Sequence, residues 1–506
     1  MQAHLRIARD AMSGNEQSAC FDMLIVGGGI NGAGIARDAA GRGLSVLLVE
    51  QDDLAGHTSS ASTKLIHGGL RYLEYGEFRL VRESLKERER LWHMAPHIIC
   101  PLRFVLPQTR SPRPAWMVRL GLFLYDHLGG RRALPATQTI ALDQSPLGAG
   151  LADRRGKGFV YSDCWVEDSR LVVLNALDAA ERGADIRTRT RLVSARRDGP
   201  LWRALIADDR GETEVRAHRL VNAAGPWVAD LTRKVGVNSN QSVRLVKGSH
   251  IVVPRLYDGD HAYMLQNADR RIVFAIPYEG RFTLIGTTDQ PWHAAPAKPS
   301  IDAGEIDYLL DTANRYFTRQ LERDDIAWSY AGIRPLHDDL TGNPSAVTRD
   351  YLLDLNEDGP PLLSVFGGKI TTYRRLAEHA LDLLEVPGAW TAGAALPGGD
   401  MADFPAFADR LLAERPALPP PLLRRLARAY GTRADRVLGT AQRLEDLGTL
   451  FAGDLTQAEV DYLTTQEWAR TPEDILWRRS KLGLHLPPDT AARIDAYLIA
   501  HHAKGN

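Results

Sequence analysis

The first clear pattern along the chain is an apolar run, a glycine-rich turn and an alanine-rich stretch. Residues 21–26 are almost wholly apolar, which predicts a parallel strand buried on both faces. The turn at 27–32 follows at once, and the alanine-rich stretch then continues to Ala40 with the character of a helix. A second apolar run, 44–49, ends in Glu50. Together these segments predict one complete βαβ unit.

Later segments repeat this alternation of apolar runs and glycine or proline breakers. The elements expected from them are helices over 171–182 and 372–384, a buried strand over 220–224, further strands over 190–195 and 362–366, and an antiparallel hairpin formed by 271–276 and 281–286. The last hundred residues are rich in Ala, Leu and Arg. Within them, residues 471–474 (Thr-Pro-Glu-Asp) have the composition of a helix start. We therefore expect a separate helical domain at the C-terminal end.

Composition narrows the class of protein. The 506 residues are 44% hydrophobic and 25% charged, as in a globular protein with a sizeable core. Lys and Arg number 62 against 63 Asp and Glu, so no net field favours binding of nucleic acid. Cys20, Cys100 and Cys164 form no CxxC pair, which argues against a disulfide framework and a cysteine-ligated metal. We expect reduced thiols in an intracellular protein.

The glycine-rich turn carries the first chemical signal. Gly27 permits a tight turn, Gly29 allows the backbone to approach a pyrophosphate, and Gly32 allows helix and strand to pack closely. The start of the helix offers N–H groups and a positive dipole to phosphates. Glu50 closes the next strand, where it can accept hydrogen bonds from ribose hydroxyls. The arrangement predicts a dinucleotide-binding site.

Which dinucleotide binds is less clear from these residues alone. After Glu50 the chain enters a polar loop at 58–64 and then the segment 65–72, rich in Gly. Their hydroxyls and glycines can line the pyrophosphate and ring of FAD. Ser and Thr are also common in ordinary surface loops, and without further evidence that is the simpler interpretation.

Long blocks in a fixed order carry a family resemblance. They include GGGINGAGIARDAAGRGLSVLLVE, TSSASTKLIHGGLRYLEYGEFRLV, YSDCWVEDSRLV, VNAAGPWV, VKGSHIVVPR, IGTTD, AGIRPL and SVFGGKITTYRRLAEHAL. These blocks closely resemble the FAD-dependent, quinone-linked aerobic glycerol-3-phosphate dehydrogenases, from about residue 21 to 384 and more weakly beyond. The wider superfamily is similar to D-amino-acid oxidase.

The resemblance implies an activity and a set of site residues. Family members oxidise sn-glycerol 3-phosphate to dihydroxyacetone phosphate, reduce FAD and pass electrons to membrane quinone. Matching motifs make Arg71, Tyr72, Arg334, Arg349 and Lys369 the candidate substrate contacts. The candidate cofactor contacts are Gly27, Gly29, Ile30, Asn31, Gly32, Glu50, Thr58, Ser59, Ser60, Ser62, Lys64, His67, Gly68, Gly69, Val193, Ala224, Gly225, Gly368, Lys369 and Thr371.

The catalytic base is left between two histidines. His250 is the first candidate for accepting the proton of the C2 hydroxyl, and His67 is the second. Arg334 can assist by stabilising the developing alkoxide. Each has an ordinary alternative, since a histidine beside a strand is often structural and a single arginine is often a solvated surface charge.

Residues 366–372 join a predicted strand to a predicted helix. Their glycines allow the backbone to approach a flavin, and Thr371 or Thr372 can cap the helix. Lys369 and the helix start would stabilise the negative charge of a reduced flavin. The alternative is a tight turn with no ligand. No histidine or cysteine cluster predicts a metal site.

One segment of the sequence is a candidate for contact with a membrane. Residues 114–125 combine aromatic and aliphatic side chains with nearby arginines, which suits either the surface of an anionic bilayer or a core helix with snorkelling arginines. No run reaches the roughly 18 apolar residues of a transmembrane helix. The resemblance favours a peripheral homodimer on the cytoplasmic face of the inner (plasma) membrane, or in the cytoplasm, with quinone as acceptor.

The expected fold class is α/β, with a Rossmann-like FAD-binding domain, an inserted mixed α+β substrate domain and a helical C-terminal domain. A flexible extension occupies 1–20. The FAD domain spans 21–390 in segments at about 21–100, 150–235 and 350–390, the substrate domain about 100–150 and 236–349, and the helical domain 391–506. Two rival functions remain open: an oxidase of the D-amino-acid oxidase type that uses oxygen, and a regulatory protein whose nucleotide never turns over.

Overall fold

The computed structural model describes residues 19–130, 133–337 and 350–502. The predicted 1–20 extension lies almost entirely outside these residues. The strands in chain order are β1 (Cys20–Val26), β2 (Val46–Val49), β3 (Leu65–Ile66), β4 (Ile99–Pro107), β5 (Gln138–Ala141), β6 (Lys157–Val166), β7 (Asp185–Arg187), β8 (Arg191–Asp198), β9 (Leu201–Asp208), β10 (Gly211–Asn222), β11 (Val243–Pro254), β12 (Ala262–Gln266), β13 (Ile272–Tyr278), β14 (Phe282–Gly286), β15 (Gln290–Pro291), β16 (Trp328–His337), β17 (Tyr351–Asn356), β18 (Leu362–Gly367), β19 (Leu450–Ala452) and β20 (Leu455–Thr456).

The α-helices in chain order are α1 (Ile30–Gly41), α2 (Phe78–Met94), α3 (Ala115–Leu128), α4 (Asp168–Glu181), α5 (Val228–Lys234), α6 (Ala303–Tyr316), α7 (Tyr373–Leu383), α8 (Phe404–Glu414), α9 (Pro420–Tyr430), α10 (Ala434–Leu438), α11 (Gln457–Gln466) and α12 (Thr490–His502). A π-helical turn covers Asp474–Arg479. Among the helices of the described residues, none has the length and hydropathy needed to cross a bilayer.

The first sheet carries the βαβ unit. Its main order is β17-β18-β10-β1-β2-β7, and β1 runs parallel to both β10 and β2. Alternate residues of β1 enter different cores. Met23 and Ile25 pack with α1, α4 and α7, whereas Leu24 packs with β8, β9 and α5. Both faces of the strand are therefore covered, which is why its sequence is continuously apolar.

The second sheet contains both parallel and antiparallel strand pairs. Its main order is β15-β11-β14-β13-β12-β4-β6-β3, with β16 paired to β11 and β5 to β6. The predicted hairpin is present, since β13 and β14 are antiparallel. One face of this sheet packs on α6, and the other packs on α2 and α3. The chain passes from β16 of the second sheet to β17 and β18 of the first, and residues of both sheets line one cavity.

The C-terminal region has a hydrophobic core of its own. Leu422, Leu426, Leu463 and Ile494 are among its buried residues, and they come from α9, α11 and α12. The expected helix start at 471 forms a cap, because the Asp474 N–H donates to the Thr471 hydroxyl at 3.3 Å, although only the short π-helical turn follows. The predicted α/β class with a helical C-terminal region is confirmed.

Helix α2 differs from its sequence-based interpretation. The charge-dense run at 77–90 predicts a solvated polar face, and Arg79 and Lys86 are indeed exposed. Glu87 and Arg88, however, are buried. Glu87 pairs with Arg374 at 2.6 and 2.8 Å, and Arg88 pairs with Asp163 at 2.7 Å. Partner charges on distant elements allow these two groups to be buried, and no local pattern reveals them.

Candidate cofactor and substrate site

A cavity of about 540 Å³ lies where the two sheets meet. It brings together residues separated by more than 300 positions in sequence. The sequence-predicted residues that line it are Gly27, Gly29, Ile30, Asn31, Glu50, Thr58, Ser59, Ser62, His67, Gly69, Arg71, Tyr72, Ala224, Gly225, Arg334, Gly368 and Lys369. Gly32, Ser60, Lys64, Gly68, Val193, Thr371 and His250 are not part of this lining, and Arg349 lies outside the described residues.

The glycine turn has the geometry that its sequence predicts. Gly27 has a φ of +114°, a conformation that L side chains rarely adopt. A Cβ atom added at Gly32 would lie 1.9 Å from the carbonyl oxygen of Gly27, so a side chain there would collide with the turn. The N-cap of α1 is Gly29, which makes no side-chain cap. This helix end therefore offers backbone N–H groups beside the cavity.

Glu50 holds the turn as well as facing the cavity. Its carboxylate accepts the Gly28 N–H at 2.6 Å and the Asp52 N–H at 2.9 Å. Burial raises the pKa of Glu50, and the two N–H donors oppose that rise. The carboxylate retains acceptor capacity for a hydroxyl of a bound nucleotide.

The polar loop after Glu50 wraps the start of α1. The Ser59 hydroxyl accepts the Ile30 N–H at 3.0 Å, and Thr58 donates to the Ile333 carbonyl at 2.7 Å. The loop therefore joins the first sheet to the second. Lys64 is buried behind it, where its ammonium pairs with Asp168 at 2.6 Å and donates to the Ser60 carbonyl at 3.2 Å. In this position Lys64 supports the loop from behind.

Two cationic side chains approach one part of the lining. The Nε of Arg71 is buried and has no hydrogen-bond partner among the described residues. The ammonium of Lys369 lies 4.0 Å from the centre of the Tyr72 ring, which is the distance of a cation–π contact. Because an unpaired buried guanidinium nitrogen is costly, Arg71 has the character of a ligand-binding group.

Arg334 is held in place on strand β16. Its Nη2 donates to the Thr287 hydroxyl at 2.7 Å, and its Nη1 pairs with Asp289. All three residues line the cavity. The pairing fixes the direction of the guanidinium and balances part of its charge.

His250 is one hydrogen bond away from the cavity. Its ring is fully buried, stacks on Tyr330 at 4.7 Å between ring centres, and has Nε2 3.0 Å from the Thr63 hydroxyl. Thr63 lines the cavity. Burial, with the charges of Arg334 and Lys64, lowers the pKa of His250 well below its ordinary value. The imidazole is therefore neutral at physiological pH.

The turn between β18 and α7 also contributes residues to the site. Asn31 donates to the Gly367 carbonyl at 3.2 Å, while its own side-chain oxygen is buried without a hydrogen-bond partner in the described residues. The expected threonine cap of α7 is wrong. Thr372 occupies the N-cap position without a side-chain hydrogen bond to the helix, and the Thr371 hydroxyl accepts the His67 N–H at 3.2 Å instead.

Gly68 and the second histidine are fixed by a buried polar network. The Gly68 N–H donates to the Tyr125 hydroxyl at 2.7 Å, and that hydroxyl donates to Asp163 at 2.7 Å. Burial raises the pKa of Asp163, against the effect of the nearby Arg88 charge. The network sets the backbone that carries His67 into the cavity.

Sequence reasoning missed several residues of the lining. Phe104, Tyr161, Met264 and Phe274 form an apolar wall, one from each of four neighbouring strands of the second sheet, β4, β6, β12 and β13. Strand periodicity marks them as core and does not reveal that they face a cavity. Thr63 and Asp289 lie within sequence blocks that carry the family resemblance, and this membership is the signal by which they could have been found.

The comparisons with known proteins define the class. A family model described as FAD dependent oxidoreductase matches residues 22–374. A second, described as the C-terminal domain of alpha-glycerophosphate oxidase, matches 389–496. Among solved structures, the glycerol-3-phosphate dehydrogenase from Bacillus halodurans complexed with FAD aligns with a TM-score of 0.72 and 28% identity, covering 96% of this chain and 94% of that one.

Relatives at higher identity narrow the class. The chain is 56% identical over 497 residues to the glycerol-3-phosphate dehydrogenase of Pseudomonas aeruginosa, covering 95% of this chain and 96% of that protein. It is 55% identical over 482 residues to the D-erythritol 1-phosphate dehydrogenase of Brucella abortus, at 93% and 96% coverage. The chain belongs to the FAD-dependent oxidoreductases, in the branch that contains the glycerol-3-phosphate dehydrogenases. The predicted resemblance is confirmed.

FAD is the cofactor of this branch, and the residues present fit it. Gly27, Gly29 and Asn31 all line the cavity, the N-cap residue Gly29 leaves the start of α1 without a side-chain cap of its own, and the Asn31 side-chain oxygen is buried without a hydrogen-bond partner among the described residues. Together they provide a place for a pyrophosphate and donors and acceptors for a heterocycle.

Proposed function

We propose that the chain oxidises sn-glycerol 3-phosphate to dihydroxyacetone phosphate. The observation that carries the proposal is the presence of Arg71 and Arg334 in the same cavity as the dinucleotide turn. A small phosphate dianion needs guanidinium groups, and a redox reaction needs the cofactor beside it. When bound, FAD supplies the acceptor for the hydride equivalent from C2.

The proposal assigns roles to the chain's own residues. Arg71, Tyr72, Arg349 and Lys369 bind the phosphate and the hydroxyls. Arg334, aimed by Thr287 and Asp289, stabilises the developing alkoxide at O2.

Proton removal is assigned to His250, with His67 as the alternative. His250 receives the C2 hydroxyl proton, and its neutral state and its contact with Thr63 support this role. His67 has its side chain in the lining itself.

The cofactor contacts proposed from the sequence fall into three groups. The glycine turn and the start of α1 (Gly27, Gly29, Ile30, Asn31) bind the pyrophosphate, with Gly32 packed against the turn, and Glu50 binds a ribose. In the polar loop and the turn that follows, Thr58, Ser59, Ser62, His67 and Gly69 cover the ring system, and Ser60, Lys64 and Gly68, which do not line the cavity, support them. The remaining contacts or supports are Val193, Ala224, Gly225, Gly368, Lys369 and Thr371.

An anaerobic reduction assay tests the proposal. The purified protein is expected to be yellow, and sn-glycerol 3-phosphate should bleach the flavin absorbance without added nicotinamide. Glycerol and small amines serve as controls that lack the phosphate or carry a different reacting group. Bleaching by amines, or full flavin occupancy without bleaching by any polyol phosphate, would contradict the substrate assignment.

A four-carbon substrate is the second candidate. The identity to the D-erythritol 1-phosphate dehydrogenase, 55%, equals that to the glycerol-3-phosphate dehydrogenase within one per cent. Both substrates place a secondary alcohol at a short distance from a phosphate. The ratio of kcat/KM for the two phosphates decides between them, and a ratio above one for the erythritol ester would favour the second candidate.

We further propose quinone as the electron acceptor, with peripheral attachment to the cytoplasmic face of the membrane. One face of α3 supports attachment, because Trp116 is 70% exposed, Leu120 51% and Phe123 49%. The opposite face, with Leu122 and Tyr125, is buried. Exposed aromatic and aliphatic groups on one helix suit the surface of a bilayer. A homodimer is part of the same proposal and rests on the family resemblance.

Quinone use has its own test. Reduced enzyme mixed with a short-chain quinone should be reoxidised much faster than by dissolved oxygen. Stoichiometric peroxide with little effect of quinone would indicate an oxidase instead.

A further inference from the structure

A buried cluster of charges joins the C-terminal region to the loop that follows Glu50. Asp53 in that loop is 2% exposed and Arg479 in the π-helical turn is fully buried. The Arg479 guanidinium donates to both oxygens of the Asp53 carboxylate, at 2.6 and 2.8 Å. Arg478 adds a third donor at 2.6 Å. This bidentate geometry fixes both position and orientation of the loop.

The arginines are themselves fixed on their own side. The Arg479 side chain also donates to the Glu467 carbonyl at 3.0 Å from Nε. Arg478 pairs with Asp474, which also receives Arg189 at 2.6 Å. Burial alone would raise the pKa of Asp474, but the Arg470 N–H and the charges of Arg478, Arg189 and Arg479 lower it to about 2. Asp474 is therefore ionised across the physiological range.

The loop held by this cluster determines the shape of the dinucleotide turn. Gly28 donates its N–H to Glu50 at 2.6 Å and accepts the Ala55 N–H at 3.1 Å. Both backbone polar groups of Gly28 are thus satisfied by residues 50–55. Asp53 lies between these two contacts in sequence. A shift of the loop would change the turn on which the pyrophosphate rests.

We propose that Arg478 and Arg479 are positioning residues for the cofactor. They clamp Asp53, so the affinity for FAD depends on a segment more than 400 residues away in sequence. By thermodynamic reciprocity, bound FAD stabilises the packing of the π-helical turn against the loop. The inference rests on FAD binding and not on the identity of the substrate.

Substitution with a matched control tests the clamp. In Arg479→Gln we expect the Kd for FAD, measured by flavin fluorescence at fixed temperature, to rise about tenfold or more. Arg479→Lys, which keeps the charge but loses the fork, should give a smaller rise. The control is Arg433→Gln, which removes the ion pair that another buried arginine makes between the C-terminal region and the rest of the chain, with Glu181 at 2.6 Å, and neither partner is hydrogen-bonded to residues 50–56 among the described residues.

The comparison of the two variants decides the outcome. Equal losses of Tm with an unchanged Kd for FAD in both would show that the clamp is structural only and overturn the proposal. If Arg479→Gln does not fold, the full wild-type chain supplies the decisive measurement. Addition of FAD to apoprotein should slow amide hydrogen exchange in 474–479, and no change there would also overturn it.

Discussion

The Thr63 hydroxyl lies 3.0 Å from Nε2 of His250, and this contact links a fully buried imidazole to the cavity. The relationship predicts that Thr63 relays the substrate proton to His250. Thr63→Ala should therefore lower kcat, whereas Thr63→Ser should retain most of it.

His250→Asn extends the same prediction. General-base catalysis contributes about 10²–10⁴-fold to the rate. We therefore expect kcat to decrease by a factor in that range while FAD binding is retained. Steady-state kinetics with sn-glycerol 3-phosphate provide the measurement. An unchanged kcat in both Thr63→Ala and His250→Asn would transfer the role to His67.

Arg71→Gln is expected to weaken substrate binding strongly. A hydrogen bond to a charged group contributes about 1.5–3 kcal/mol, so KM for sn-glycerol 3-phosphate should rise roughly 10- to 100-fold. Arg196→Gln is the control, since Arg196 is exposed on β8 and does not line the cavity. Equal KM values in the two variants would remove Arg71 from the phosphate site.

Gly32→Ala should abolish flavin retention. The added Cβ would lie 1.9 Å from the Gly27 carbonyl oxygen, which forces the turn or α1 to move. Overpacking of this kind costs about 1–3 kcal/mol or more. The flavin-to-protein absorbance ratio after purification gives the measurement. Gly393→Ala, where an added Cβ meets nothing within 4 Å, should retain full flavin.

The exposed face of α3 should mediate binding to anionic vesicles. Burying one large apolar side chain contributes roughly 1.5–3 kcal/mol, so Trp116→Ser together with Phe123→Ser should weaken vesicle binding by at least tenfold. Cosedimentation with phosphatidylglycerol vesicles measures the effect. Ile499→Ser is the control, because Ile499 is also exposed, at 64%, but lies on α12. Equal binding by all variants would contradict attachment through α3.

His97 should make the protein less stable as the pH falls. It is buried, neither ring nitrogen has a hydrogen-bond partner in the described residues, and burial with the charges of Arg170 and Arg428 lowers its pKa from 6.5 to about 3. Between these values the unfolded chain binds a proton that the folded chain does not. The free energy of unfolding therefore does not depend on His97 above pH 6.5. Below pH 6.5 it decreases by about 1.4 kcal/mol per pH unit.

The effect is measured by comparing Tm values. His97→Leu should gain in Tm relative to wild type as the pH is lowered from 7 to 5. His93→Leu, which replaces an exposed histidine nearby, should keep a constant difference from wild type. A constant difference for His97→Leu as well would contradict the prediction.

The amino-acid sequence alone determined the dinucleotide turn and the elements around it. The run 21–26, the glycines from Gly27 to Gly32 and Glu50 all carry local signals, because strand burial, tight turns and close helix packing each restrict residue type within a few positions. The hairpin at β13 and β14 was predictable for the same reason. Motif blocks supplied the family and most of the cavity lining.

Tertiary structure alone decided how distant residues meet. Nothing local shows that Glu87 is buried against Arg374, that Lys64 faces Asp168 rather than the cavity, or that Thr63 stands between His250 and the cavity. The pairing of Asp53 with Arg479 joins positions 426 residues apart. Such contacts depend on how sheets and helices pack, and the burial and charge of each partner follow from that packing rather than from neighbours in sequence.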